Sequence, residues 1–171
     1  MLNTLRCQLR SHSSKTYHSI AAPAFRITAR AMHTQPRFSP GTDEAAATGH
    51  LSSLLVSEGG RWTLANDGEA IERSFKFKTF AKAWDFMTAV SLQCKIKHHH
   101  PEWSNVYNTT YVRWTTHNPK GLSALDLDMA DACDAIASDL GELEPEPVSC
   151  AVRDVADKAT VSAGDCCTPK K

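Results

Sequence analysis

The chain has 171 residues, of which 42% are hydrophobic and 22% charged, values that argue against wholesale disorder or a collagen-like chain. Its 19 basic and 19 acidic residues cancel, so the overall charge gives no reason to expect nucleic-acid binding. No stretch approaches the ~20 apolar residues that a membrane-spanning helix requires, so we expect no membrane association.

The N-terminal segment, residues 1–42, differs in composition from the rest of the chain. It holds six basic side chains and no Asp or Glu, and it is rich in Ser and Thr. This composition is typical of a mitochondrial presequence. We therefore expect a disordered targeting leader and a location in the mitochondrial matrix; a basic tail without an address, and hence a cytoplasmic protein, is the alternative.

The C-terminal segment, residues 144–171, contains three prolines, many small residues and no aromatic side chain. Such a segment buries too little apolar surface to offset the entropy of ordering, so we expect a disordered tail. Residues 43–143 remain as a single domain, a size that can fold alone. Of the six cysteines only Cys94 and Cys133 fall in this domain, and without a CxxC pair neither a disulfide framework nor a zinc-thiolate site is expected.

The first half of the domain predicts a helix, a hairpin and a second helix. Leucines before Gly59 indicate a short helix with a glycine stop. Two extended runs around the Asp67-Gly68 turn are typical of a β-hairpin. Thr79 can then cap a long helix that ends near Lys97. Its apolar residues recur at three- and four-residue steps and should share one face. They are Phe80, Ala83, Trp84, Met87, Val90 and Cys94.

The second half predicts another hairpin. Pro101 pushes the residue before it out of the helical region, so residues 98–100 should lie at a helix exit. Residues 103–107 and 111–116 then form two strands. Tyr111, Arg113 and Thr115 should point to one face of the second strand. His117 would continue that face if the strand reaches it.

A final helix completes the pattern. Ser123 and Asp126 have the spacing of a capping box at its start. The order α-β-β-α-β-β-α predicts an α+β fold with a four-stranded antiparallel sheet and helices packed on one face. The other face of the sheet then needs cover or a ligand.

The histidines are the residues most able to carry chemistry. An imidazole both gives and takes a proton near neutral pH. His100 and His117 can meet if the hairpin brings them together, but three sequential imidazoles, 98–100, fan out and cannot all reach one point. A metal site is not expected, because no HExxH motif or other close ligand spacing is present. A solvated polar loop is the alternative for a bare run of histidines.

The string from His99 to Asn108, HHPEWSNVYN, resembles the signature of the pterin-4a-carbinolamine dehydratase family. The similarity continues through His117 to Asp126 and covers about residues 48–140. The resemblance implies the same α+β fold and a hydro-lyase that converts 4a-hydroxytetrahydrobiopterin to quinonoid dihydropterin, the recycling step of tetrahydrobiopterin. It implies no cofactor and no metal.

The resemblance also implies a set of site residues. They are His99, His100 and His117 as catalytic histidines, with Trp62, Pro101, Glu102 and Asp126 as substrate-binding positions. We expect His100 chiefly to bind and orient the pterin, and His99 and His117 to form the acid–base pair. Trp62 is equally well explained as a core residue, and the capping box alone explains Asp126.

This chain departs from the family pattern at two positions. The family commonly has a carboxylate four residues before His99, where this chain has Lys95, and often has Asp where this chain has His98. Loss of a nearby carboxylate removes support for a charged imidazole.

Oligomerisation is expected, because a short four-stranded sheet has exposed edges and the family forms dimers and tetramers. We expect a homodimer or homotetramer with a small-molecule pterin as substrate. Two alternatives are kept: a non-catalytic protein-binding module that acts as a dimerisation cofactor, and a dehydratase that acts on another pterin.

Overall fold

A computed structural model of the chain describes residues 34–144 and 150–163. The helices are α1 (Glu44–Leu54), α2 (Phe80–Lys97), α3 (Ala124–Asp139) and α4 (Cys150–Ala163). The strands are β1 (Thr63–Ala65), β2 (Ala70–Lys76), β3 (Glu102–Val106), β4 (Thr109–Trp114), β5 (Thr116–His117) and β6 (Lys120–Gly121). Among the helices in these ranges, none combines the length and the apolar character needed to cross a membrane.

Four of the strands form one antiparallel sheet in the order β1-β2-β4-β3, which confirms the predicted α+β class. The first hairpin turns at Asn66–Gly68, where the sequence placed it. The strand that was expected to run to Thr116 ends at Trp114, and His117 lies instead in a separate two-stranded ladder, β5–β6.

The apolar core lies between one face of the sheet and helices α1 to α3. Side chains alternate between the two faces of a strand, and the apolar side chains that β2 and β4 direct toward this face are fully buried. Cys94 and Cys133 pack in or beside this core as free thiols. Its fully buried members on the two central strands are Ile71, Phe75, Val112 and Trp114.

Helix α2 begins as predicted after Thr79, whose hydroxyl accepts a hydrogen bond from the Lys82 N–H at 3.3 Å. Its predicted apolar face needs correction at the first turn, because Phe80 and Trp84 are 49% and 52% exposed. At 100° per residue, Phe80 and Trp84 lie roughly 60° and 100° around the helix axis from the buried Ala83. Phe86, absent from the predicted face, is fully buried instead.

The opposite face of the sheet is covered by α4, which lies against β3 and β4. The expectation of a disordered tail from residue 144 is therefore corrected for residues 150–163, and α4 is the cover that the other face of the sheet was expected to need. Ala156 of α4 packs on Tyr111, and Asp157 of α4 lies 2.8 Å from the Arg113 guanidinium. The tail has little apolar surface, but charge pairing with the sheet supplies contacts that a hydropathy argument omits.

The N-terminal boundary of the domain also needs correction. Most of the predicted leader, residues 1–33, lies outside the described residues, but residues 34–42 contact the domain. The Arg37 N–H donates to the Gly68 carbonyl at 2.8 Å, and the Leu122 N–H donates to the Arg37 carbonyl at 2.9 Å. Phe38 packs beside the core and pairs with Leu122. The folded unit therefore begins before residue 43.

Candidate active site

Two site histidines are positioned by the way α2 ends. His98 adopts a left-handed conformation, φ 50°, and its N–H donates to the Cys94 carbonyl. The His99 N–H donates to the same carbonyl at 3.1 Å, so the last turn closes and the chain leaves the helix. Pro101 follows and prevents the helix from resuming. His99 and His100 are thereby presented at the start of β3.

The structure brings His99, His100 and His117 into one row. The ring centroids of His99 and His100 are 6.5 Å apart. Those of His100 and His117 are 5.5 Å apart, with the rings nearly parallel at 19°. His117 reaches this position from β5, the short strand that follows β4. Three imidazoles from two segments of the chain therefore line one site.

His99 is the most enclosed of the three and is held on two sides. Its Nε2 lies 2.6 Å from Oδ1 of Asp126, whose side chain is fully buried. Its ring stacks on Trp114 at 5.5 Å between centroids. Because Asp126 engages Nε2, any proton exchange between His99 and a ligand must use Nδ1. Because Asp126 is fully buried, it holds the His99 ring and is not itself exposed to a bound ligand.

Asp126 also joins the two segments that carry the histidines. Its Oδ2 accepts a hydrogen bond from the Thr116 hydroxyl at 2.8 Å, next to His117 in the chain. It also accepts the Ser123 N–H at 2.7 Å, which forms the predicted capping box of α3. One carboxylate therefore caps a helix and ties the His99 loop to β5.

His117 has a carboxylate partner of its own. Its Nε2 lies 3.7 Å from Oε1 of Glu102, while the other oxygen of Glu102 lies 3.3 Å from the Arg113 guanidinium. Glu102 and Arg113 are opposite each other in the β3–β4 ladder, so they point to the same face of the sheet. Alternation predicted a shared face for Arg113 and His117 only if the strand reached His117, and β4 ends at Trp114. The link between the two side chains is Glu102, which alternation did not reveal.

Trp62 lies elsewhere and belongs to the core. It is fully buried, and its indole N–H donates to Asp134 at 3.0 Å. A cavity of about 250 Å³ beside it is lined by Arg61, Arg73, Asp134 and Glu142, and none of the three histidines lines it. Burial raises the pKa of the Asp134 and Glu142 carboxyls in spite of Arg73. The two guanidinium groups and two carboxylates that line this cavity pair with one another.

The described part of the site consists of imidazoles and their carboxylate partners, groups that can give and accept protons. Within residues 34–144 and 150–163, no group of three or more His, Cys, Asp or Glu side chains is arranged to hold a metal ion. Sequence reasoning found the three histidines but missed Trp114, which stacks on His99. Its burial on the core face follows from alternation along β4, but its contact with His99 depends on how α2 ends.

Comparison with known proteins finds relatives over about half of this chain. A protein of Novosphingobium aromaticivorans, provisionally named a pterin-4-alpha-carbinolamine dehydratase, is 49% identical over 81 residues, 47% of this chain and 84% of the relative. A relative from Rhizobium meliloti with the same provisional name is 44% identical over 95 residues, 56% of this chain and 86% of the relative. Both are bacterial and give no support to the mitochondrial location expected from residues 1–42.

A crystal structure of a transcriptional coactivator/pterin dehydratase from Brucella melitensis is also similar. It has 39% sequence identity and a TM-score of 0.49, covering 55% of this chain and 95% of the crystallised one. The profile of the family described as pterin 4 alpha carbinolamine dehydratase matches residues 42–136, which include the three histidines and Asp126 but not α4. The chain therefore belongs to the pterin-4-alpha-carbinolamine dehydratase family.

Proposed function

We propose that this protein dehydrates 4a-hydroxytetrahydrobiopterin to quinonoid dihydropterin, in tetrahydrobiopterin recycling. The observation that carries the proposal is the row of three imidazoles with a buried carboxylate on His99. Membership of the family supports the same reaction class.

The reaction needs two proton transfers, and the site has groups suited to both. Hydroxide is a poor leaving group, so the departing 4a-oxygen has to receive a proton. A proton must leave a ring nitrogen of the pterin as the new double bond forms. Each general acid–base step is worth about 10²–10⁴-fold in rate.

We assign these transfers to His99 and His117, with His100 orienting the pterin between them. The side chain of His99 is 12% exposed and is fixed by Asp126, which suits a group that must keep one orientation. The side chain of His117 is 32% exposed beside Glu102. His100 lies between these two rings and can contact the flat face of a bicyclic ligand. Pro101 contributes by fixing the turn that presents His100.

The experiment is a dehydration assay with 4a-hydroxytetrahydrobiopterin and the full chain. We expect the double variant His99→Ala/His117→Ala to lose about 10³-fold or more in turnover, because both proton transfers are removed. His50→Ala is the matched control, since His50 pairs with Asp131 on the surface and is not part of the row. Unchanged turnover in the double variant would exclude these roles. Turnover of another pterin but not this one would move the proposal to that substrate.

The oligomeric state and the location belong to the same proposal. We infer a homodimer or homotetramer, supported by β1 and β3, which are the edge strands of the described sheet, and by exposed apolar residues on α2. The mitochondrial matrix stays a prediction from the composition of residues 1–42. Imaging a fluorescent protein fused behind residues 1–42 distinguishes import into mitochondria from a cytoplasmic location.

A further inference from the structure

A buried charged cluster occupies the sheet face that carries α4. The Tyr111 hydroxyl donates to Oε2 of Glu72 at 2.6 Å, and Nη2 of Arg113 lies 2.8 Å from the same oxygen. All three residues are less than 9% exposed. Burial and the hydrogen bond to Glu72 raise the pKa of Tyr111, so the phenol stays protonated and donates. This cluster takes no part in the His99–Asp126 contact.

Arg113 is the centre of the cluster. Its guanidinium contacts Glu72, Glu102 and Asp157 at 2.8, 3.3 and 2.8 Å, and its side chain is 3% exposed. Burial alone would lower its pKa, but the hydrogen bond from Arg113 to Glu72 and its other partners raise the pKa above the ordinary value. Arg113 therefore stays charged and holds the Glu102 carboxylate in place.

The Glu102 carboxylate connects the cluster to the active site. Among the described residues, Arg153 of α4 also joins the cluster and lies 3.3 Å from Glu72. The oxygen of Glu102 that Arg113 does not engage faces Nε2 of His117 at 3.7 Å. Among the described residues, the His100 ring stacks on His117, and Lys120, which is opposite His117 in the β5–β6 ladder, pairs with Glu69 at 2.6 Å. Glu102 is thus the carboxylate that faces His117.

We propose that Glu102 is a positioning residue for His117, held by Arg113, and that α4 completes this arrangement through Asp157. The proposal deepens the proposed function, on which it rests, and it reassigns Glu102 from substrate binding. Glu102 orients the imidazole and balances the positive charge that His117 gains when it takes a proton. Helix α4 lies beyond the residues that the family profile matches, so this part of the proposal rests on the contacts of the present chain alone.

The test compares Glu102→Gln and Glu102→Asp in the full chain. We expect Glu102→Gln to lower kcat about tenfold, the equivalent of about 1.4 kcal/mol in the activation barrier, while KM changes less than about twofold. Glu102→Asp keeps the charge and should recover part of kcat. The ring ¹⁵N chemical shifts of His117 should change in Glu102→Gln more than those of His99. A thermal melt of each variant separates this effect from unfolding.

A matched pair on α4 tests the second part. Asp157→Asn removes the negative charge that pairs with Arg113, whereas Asp154→Asn makes the same change at an exposed position on the same helix. We expect Asp157→Asn to lower kcat about threefold and Asp154→Asn to leave it unchanged. Equal kcat in wild type and Glu102→Gln, with unchanged His117 shifts, overturns the proposal. If wild type does not dehydrate the pterin, the proposed function fails, while the His117 shifts still decide whether Glu102 positions this ring.

Discussion

Nε2 of His99 lies 2.6 Å from Oδ1 of Asp126, and the Asp126 carboxylate is completely shielded from solvent. A buried carboxylate requires partners, and this one accepts hydrogen bonds from the Ser123 backbone and from the Thr116 hydroxyl. The same group therefore stabilises the start of α3, the position of β5 and the orientation of His99. Asp126 therefore connects the stability of the fold to the geometry of the candidate site.

Asp126→Asn should lower both turnover and stability. The substitution removes the charge that orients His99 and replaces an acceptor by a donor facing the Ser123 N–H. We expect kcat to fall about tenfold or more and the free energy of unfolding to fall by about 2–4 kcal/mol. Steady-state kinetics and urea unfolding measure the two effects.

The chain contains its own control for this prediction. His50 and Asp131 form a second imidazole–carboxylate contact, also 2.6 Å long, but their side chains are 31% and 56% exposed. Asp131→Asn should cost at most about 1 kcal/mol, as for other exposed ion pairs, and should leave kcat unchanged. Equal losses in Asp126→Asn and Asp131→Asn would show that the buried contact has no special role.

The parts of the fold that sequence predicted are those set by local signals. Thr79 and Ser123 mark the starts of α2 and α3, and the Asp67-Gly68 turn marks the first hairpin. Helix α4 carries no such signal, because its contacts depend on Arg113, which lies about 40 residues away in the chain. The docking of residues 34–42 rests largely on backbone hydrogen bonds, which no side-chain pattern reveals.

The candidate site likewise has a part that sequence patterns predicted and a part that depends on contacts between distant segments. A long motif identified His99, His100 and Glu102. Alternation could place His117 on the face of Arg113 only if one strand reached it, and β4 ends at Trp114. Which nitrogen of each ring meets which carboxylate depends on the end of α2 and on the break between β4 and β5. These are three-dimensional features, so the assignment of Asp126 to His99 and of Glu102 to His117 needed the structure.

Removal of residues 34–42 should destabilise the domain. We expect a chain that starts at residue 34 to unfold like the full chain. A chain that starts at residue 43 should lose about 2–4 kcal/mol, since Phe38 leaves the core edge and three backbone hydrogen bonds are lost. Urea unfolding of the two truncated chains makes the comparison. Equal midpoints would mean that the segment contributes nothing.

Two glycines provide a substitution test of the same contact. Gly41 and Gly68 both have φ +91°, but a Cβ at Gly68 would lie 1.9 Å from the Gln35 carbonyl oxygen, whereas Gly41 has open space. Gly41→Ala should cost about 1–2 kcal/mol for the left-handed backbone alone, and Gly68→Ala should cost more. In the chain that starts at residue 43, the additional cost of Gly68→Ala should disappear.

Acid should loosen the attachment of residues 34–42 through Glu69. The hydrogen bond from Lys120 holds the pKa of the Glu69 carboxyl below its ordinary value of 4.5; burial opposes this shift, and the charges of Lys120 and Arg37 add to it. A carboxyl whose folded pKa is lowered stabilises the fold above pH 4.5, and this stabilisation is lost as the pH falls through the folded value.

Glu69→Gln should therefore flatten the acid dependence of stability. The Arg37 and Lys120 side chains are 64% and 65% exposed, so their pairing with Glu69 is weak. We therefore expect the free energies of unfolding of wild type and Glu69→Gln to differ by less than about 1 kcal/mol. Urea unfolding of wild type and Glu69→Gln at neutral pH and below pH 4.5 measures it. If the stability of wild type relative to Glu69→Gln increased as the pH was lowered, the result would contradict a lowered pKa of Glu69 in the folded state.

The exposed apolar residues of α2 should mediate self-association. They lie at multiples of four residues along the helix, the spacing of a ridge that packs against another helix. Phe80 and Trp84 stack at 5.4 Å between ring centroids, and Leu92 and Ile96 are 54% and 68% exposed.

A charge on this ridge would have to be desolvated in a helix–helix contact. Trp84→Glu combined with Leu92→Glu should therefore convert the oligomer to a monomer in light scattering, while Lys82→Glu on the same helix leaves the mass unchanged. A wild-type chain that is monomeric at micromolar concentration would exclude this interface.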